Sequence, residues 1–193
     1  MMRYLRLSLL VLAVTATGCG YNRIQAMDEQ VNSAKGQIAA QLQRRADLIP
    51  SLVETVKGYA KHEETIFIEV ANARAKLAGS VQSGNIEEMA QANQAMNGSL
   101  GRLLAIAENY PQLKADAQFL RLQDELAGTE NRIAVSRSDY NASVKDYNTY
   151  IRGFPQVITA KVTGAKARPY YEAAPGSNVA PTVDFTKPAA APK

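Results

Sequence analysis

Apolar residues recur at a helical spacing from Ile24 onward. They fall at Val31, Ala34, Ile38 and Leu42, then at Ile49, Val53, Val56, Ala60, Phe67, Val70 and Leu77. Steps of three, four or seven, kept for about seven heptads, describe an amphipathic helix. Pro50 falls inside this pattern. An interior proline removes a hydrogen bond and costs about 3 kcal/mol, whereas in a first turn it costs little. Asp47 is a good amino-terminal cap. The pattern therefore predicts a break near Arg45 to Asp47, with one helix ending there and a second beginning at Leu48. Gly79, Gly84 and Asn85 in "AGSVQSGN" predict the end of the second helix. A third is predicted from Ile86 to Glu108, where Gly98 and Gly101 either weaken it or admit a close neighbour. "ENYP" at Glu108 to Pro111 breaks the chain. A fourth helix follows on Phe119, Leu122, Leu126, Ile133, Tyr140, Val144, Tyr147 and Ile151, and stops before "RGFP". The expected fold is all-α, an elongated antiparallel bundle of about four helices.

The two ends depart from this period. "MMRYLRLSLLVLAVTATGCG" places two arginines before a mostly apolar run, Leu7 to Val14. That run is shorter than the roughly 20 residues a bilayer needs, and it has the form of a signal-peptide core. Ala16, Thr17 and Gly18 before Cys19 resemble a lipoprotein cleavage box, although Ala16 stands where leucine is usual. The expectation is a signal peptide over residues 1–18, cleaved after Gly18, with Cys19 carrying the lipid anchor and its palmitate. Gly20, in place of an aspartate, leans toward the outer membrane. A bundle domain would occupy residues 19–160. A Pro/Ala-rich tail would occupy residues 161–193. The last 27 residues hold five of the eight prolines, a composition that buries too little apolar surface to order itself, so a disordered tail is expected. "VDF" at Val183 to Phe185 is the one piece suited to docking.

Composition narrows the chemistry. Apolar residues make up 46% and aromatics 7%, with no tryptophan, which suits close-packed helices better than a β-sandwich. Net charge is +4, and loss of Arg3 and Arg6 would leave about +2, too near neutral to argue for nucleic acid. One cysteine and one histidine exclude a Cys/His metal site, and a di-iron bundle would need a Glu-x-x-His on each of two helices. No cofactor is expected and no phosphate-binding loop is present. His62, beside Glu63 and Glu64, reads as a helix-surface residue rather than a catalytic base. Tyr140 and Tyr147 are one heptad apart, which favours core packing with the hydroxyl at the edge over a stacking stripe with Tyr150. The same register carries Glu63 and Arg74 of the second helix, and Glu130 and Arg137 of the fourth, onto or beside the seam; Arg45 falls on the seam of the first. Charges in such places are paired or line a groove. At least one buried Glu–Arg pair joining the second and fourth helices is therefore predicted, with a ligand groove as the alternative.

Several stretches together resemble the LemA family: "YN" at Tyr21-Asn22, "LQRRADLIPSLVETVKGYAKHE" at Leu42 to Glu63, "ENYPQLKA" at Glu108 to Ala115, "TENRIAVSRSDYNASVKDYN" at Thr129 to Asn148, and "VDF". The resemblance implies a small, largely helical, membrane-anchored protein facing away from the cytoplasm, with no established activity or ligand. This chain departs from many members at its amino end, which has the look of a lipoprotein rather than an uncleaved membrane helix. The combined expectation is a non-enzymatic, lipid-anchored envelope protein on the periplasmic side that binds or scaffolds an envelope protein partner and no nucleic acid. A receptor for a peptide or glycan in the polar seam is the second expectation.

Overall fold

A computed structural model describes residues 2–172, with side-chain surroundings from Gly20 onward. The expected tail over 173–193, with "VDF", lies outside the described residues, and so do the surroundings of Gly18 and Cys19. Among the described residues there are six helices and no strand: α1 (Met2–Tyr59), α2 (Glu64–Ser83), α3 (Ile86–Ala107), α4 (Pro111–Lys114), α5 (Ala117–Tyr150) and α6 (Gln156–Thr163). Four are long, and α4 and α6 are short additions.

The first helix is continuous over 58 residues, about 1.5 Å each. The break expected near Arg45 to Asp47 is absent, and Pro50 lies inside α1. The physical reason is a donor from another helix. Proline at position 50 cannot donate to the Ala46 carbonyl four residues back. The Arg74 Nε of α2 donates to that same carbonyl at 2.9 Å. Pro50 itself is exposed, so its ring meets no packing constraint. The chain instead turns at Ala60 to Glu63, where the Glu63 amide bonds the Ala60 carbonyl at 3.4 Å.

α1 is the spine, packing on α2, α3, α4, α5 and α6. Its buried face follows a strict heptad through Ile24, Val31, Ile38, Arg45 and Leu52, with a second line at Leu42, Ile49 and Val56. α5 runs antiparallel to it. Tyr59 donates to Asp116 at 3.0 Å at one end, and Arg132 Nε donates to Gln41 at 3.2 Å farther along. α2 is also antiparallel to α1: the Lys57 ammonium sits 5.5 Å over the Phe67 ring, and Lys35 Nζ reaches the Gly84 carbonyl at 3.3 Å. α2 and α3 form a hairpin. Gly84 closes α2 at φ +66°, a left-handed conformation that a side chain would resist, and the Asn85 side chain caps α3 by accepting from the Glu87 amide at 2.9 Å. Gly79 did not stop α2. Gly98 and Gly101 have open space around them, so neither admits a neighbour. The Asp116 side chain caps α5 by accepting from Phe119 N–H at 2.9 Å; that amide, and then the Tyr59 hydroxyl, hold its carboxyl below the usual range.

If Arg74 compensates Pro50, the two are energetically coupled. Pro50→Ala should stabilise the fold, but by less than the roughly 3 kcal/mol assigned to an interior proline, since the carbonyl is already bonded. Arg74→Ala should cost about 1–2 kcal/mol alone and distinctly less in the Pro50→Ala background. Chemical denaturation of the four proteins reads this directly, and strictly additive changes would contradict it.

Candidate functional site

Arg45 occupies a heptad position of α1 that Ile24, Val31, Ile38 and Leu52 fill elsewhere, and it is 6% exposed. Its Nη1 donates to Asn93 Oδ1 of α3 at 2.9 Å and also to the Glu130 carboxylate of α5. The guanidinium thus joins three helices, the two hydrogens of one terminal nitrogen serving two acceptors. α2, the remaining long helix, is tied one residue on, at the Ala46 carbonyl. Room for the guanidinium comes from small residues: α5 buries Thr129 and Ser136 along this seam, and the Thr129 hydroxyl satisfies itself on the Leu126 carbonyl at 2.8 Å. Two buried donors near the centre stay unbonded, Arg45 Nε and the hydroxyl of Tyr171. Tyr171 is 4% exposed, and burial pushes its pKa above the ordinary value.

The four charges expected on one seam are not brought together. Glu130 meets Arg45 of α1, and its side chain is 45% exposed. Arg74 bonds main chain. Glu63 stands at the amino-terminal cap of α2 without a side-chain capping bond, and Arg137 is exposed. α2 packs on α1 and α3 rather than on α5, so the expected Glu–Arg pair between the second and fourth long helices is replaced by one between the first and the last. The physical reason is a one-residue shift of register: α5 turns Leu122, Thr129 and Ser136 inward, which places Glu130 and Arg137 a residue off the seam. His62 is exposed, in the turn after α1 rather than on a helix.

The second polar feature is a strap. Gly164, at φ +73°, ends α6 in the left-handed conformation and turns the chain back. Residues 165–172 then run without regular structure along α5. Asn148 Nδ2 donates to the Arg168 carbonyl at 2.8 Å, and the Arg168 amide donates back to Asn148 Oδ1 at 2.8 Å. Asn141 repeats this with Tyr171, at 3.1 Å and 2.8 Å. Each carboxamide therefore satisfies both polar groups of one main-chain residue. The spacings match: three extended residues cover about 10 Å, and one heptad of helix covers about 10.5 Å. Between the two, the Tyr140 hydroxyl donates to the Pro169 carbonyl at 2.8 Å. Two side chains fix the ends. Arg168 forms a bidentate pair with Asp28 of α1, 2.8 Å for each bond, and that hydrogen-bonded carboxylate raises its pKa. The Tyr171 ring is buried in the core.

Residues 161–172 are thus not part of a disordered tail. Chain without regular structure, with the single proline Pro169, is ordered here by donors and acceptors on α5. Sequence reasoning missed Asn141 and Asn148. Their signal was in view as a seven-residue repeat, "DYN" at Asp139 to Asn141 and again at Asp146 to Asn148.

A family model described as "LemA family" matches residues 34–185. The chain belongs to the LemA family. The match takes in Arg45, Asn93, Glu130, both ladder asparagines and the strap. Among relatives, this LemA-family chain is 26% identical over 183 residues to Magnetosome protein MamQ 1 of Paramagnetospirillum magneticum, covering 82% of this chain and 66% of that protein. It is 28% identical over 195 residues to Magnetosome protein MamQ of Magnetospirillum gryphiswaldense, covering 88% and 71%. To Protein LemA of Metamycoplasma hominis it is 23% identical over 134 residues, covering 69% and 60%. The chain thus spans about two thirds of the length of these relatives.

Two outcomes test this geometry. Glu130→Ala strands the buried Arg45 and should cost about 1–3 kcal/mol, between the roughly 3–5 of a buried pair and the roughly 0–1 of an exposed one, because Glu130 is half-exposed. Arg45→Met in the same background should restore part of that loss, since no charge is left to strand. Denaturation showing small additive losses would contradict the coupling.

The second outcome is a pH dependence. Burial raises the pKa values of Tyr140, Tyr147 and Tyr171; for Tyr147 the Asp28 carboxylate adds to this. A tyrosine raised in the fold contributes stability fully present below its unfolded value near 10 and lost as pH rises through the higher folded value. Tyrosinate absorbance should therefore show a late phase above about pH 10 that shrinks in Tyr140→Phe and Tyr171→Phe. A single ordinary phase for every tyrosine would contradict it.

Proposed function

We propose that this LemA-family chain is a membrane-anchored, non-enzymatic helical protein of the bacterial cell envelope that binds or scaffolds an envelope protein partner. The observation that carries this reading is the course of α1. One uninterrupted helix leads from the apolar run and Cys19 into the bundle and packs on every other helix. A lipid at Cys19 would therefore hold the whole domain through its spine. Among the described residues, no helix is long and apolar enough to cross a membrane. The lipid anchor, the periplasmic side and the preference for the outer membrane rest on residues 1–20 as read above.

A second reading, a receptor for a peptide, is favoured by the asparagine ladder. Paired bonds to main chain are how a protein surface takes an extended chain of varied sequence. In this reading the strap is the occupant that a partner peptide would replace.

Metabolic labelling with a fatty acid and membrane fractionation test the anchor. Wild type should be labelled and membrane-bound, and Cys19→Ala should lose the label. Unchanged labelling in that variant would sink the anchor at Cys19. Crosslinking in intact cells tests the scaffold. Recovery of envelope proteins that depends on the folded bundle supports it, and recovery of cytoplasmic proteins alone opposes it.

A further inference from the structure

The exposed apolar surface of this chain is unevenly placed. Phe154, Ile158 and Val162 are 83%, 53% and 83% exposed. Their spacing of four puts Ile158 and Val162 on one face of α6, with Phe154 in the turn just before it. An eight-residue helix at the surface normally turns such residues inward, yet α6 buries only Ala160. Tyr21, 45% exposed, belongs to the same end of the molecule. Around this surface stand Arg152, Lys161 and Lys166, all exposed.

Its position is fixed by Gly20. A methyl group on Gly20 would meet Thr159 Oγ1 at 3.5 Å and Gln156 Cγ at 3.9 Å. From there α6 runs beside α1, and a cleft lined by Ile24, Asp28, Thr163 and Gly164 marks its far end. α6 thus lies beside the residue that follows Cys19, with Gln156 and Thr159 toward α1 and Ile158 and Val162 turned away from it, a short way from the apolar run Leu7 to Val14. Whether the chain is held by lipid on Cys19 or by that run, the bilayer begins at this end.

We propose that α6 is a membrane-seating element, with Phe154, Ile158 and Val162 immersed in the headgroup region and Arg152, Lys161 and Lys166 against anionic lipid. An apolar face rimmed by basic residues is the composition of an interfacial segment. Because α6 lies alongside the first turns of α1 past Gly20, seating it inclines α1 to the bilayer. The strap begins at the end of α6 and runs from there along α5, from Asn148 to Asn141, away from the lipid surface.

The proposal rests on the membrane anchoring proposed above, and its test separates the two. The chain has no tryptophan, so Phe154→Trp is a single reporter, and Leu120→Trp, exposed on the first turns of α5 at the opposite end, is its control. Full-length protein is reconstituted in phosphatidylethanolamine–phosphatidylglycerol vesicles with and without brominated acyl chains. Flotation reports anchoring. Brominated lipid should quench Phe154→Trp strongly and Leu120→Trp hardly at all. Replacing Phe154, Ile158 and Val162 together by serine, which leaves the core untouched, should lower binding of a Cys19→Ser chain to anionic vesicles several-fold. A chain that floats while Phe154→Trp is quenched no more than Leu120→Trp overturns the seating and leaves the anchor standing. A chain that does not float overturns both.

Discussion

One carbonyl oxygen organises this bundle. Pro50 leaves the Ala46 carbonyl without its helical donor, and α1 stays whole because Arg74 supplies another from α2. The adjacent residue, Arg45, reaches Asn93 of α3 and Glu130 of α5. Within two consecutive residues the spine is therefore tied to each of the other three long helices. If α1 ended here, the heptad that carries Ile24 to Leu52 would lose its phase, and the contacts at its two ends would no longer belong to one surface. The polar groups at this level thus set the phase of the helices, and the apolar positions above and below supply the burial that holds them.

Much of the fold was legible because burial has a period. The apolar positions of α3 and α5 follow the spacing read from the sequence, and "ENYP", "RGFP" and Gly84-Asn85 end helices where turn chemistry says they should. The failures have separate causes. Pro50 was weighed against its own neighbours, whereas the donor that rescues its helix is 24 residues away in sequence. The true turn, at Ala60 to Glu63, contains neither glycine nor proline. On α5 the seam runs through Thr129 and Ser136, which an apolar reading passes over, and so Glu130 and Arg137 were placed one residue off. Arg45 was legible as a charge in an apolar heptad position, although its partners were not.

The strap shows a different limit. Composition alone predicts that the segment after α6 buries too little to order itself. It does not say that another element carries the missing hydrogen-bond partners. Asn141 and Asn148 are ordinary residues on a polar helix face until a second length of main chain lies against them. Only the repeat of "DYN" at seven residues hints at a rail.

That rail has a consequence for how tightly the strap's own sequence is constrained. Main chain is the same at every residue except proline, so carboxamides that hold only amides and carbonyls cannot otherwise distinguish one residue from the next. Sliding the strap by three residues against seven on the helix would leave each rung filled. Pro169 fits between rungs, where Tyr140 asks only for its carbonyl. The phase is set by two detents, Arg168 on Asp28 and the Tyr171 ring in its socket. Of the other strap residues Ala165 packs against the core, while the exposed ones could drift in sequence and leave the chain gripped as before.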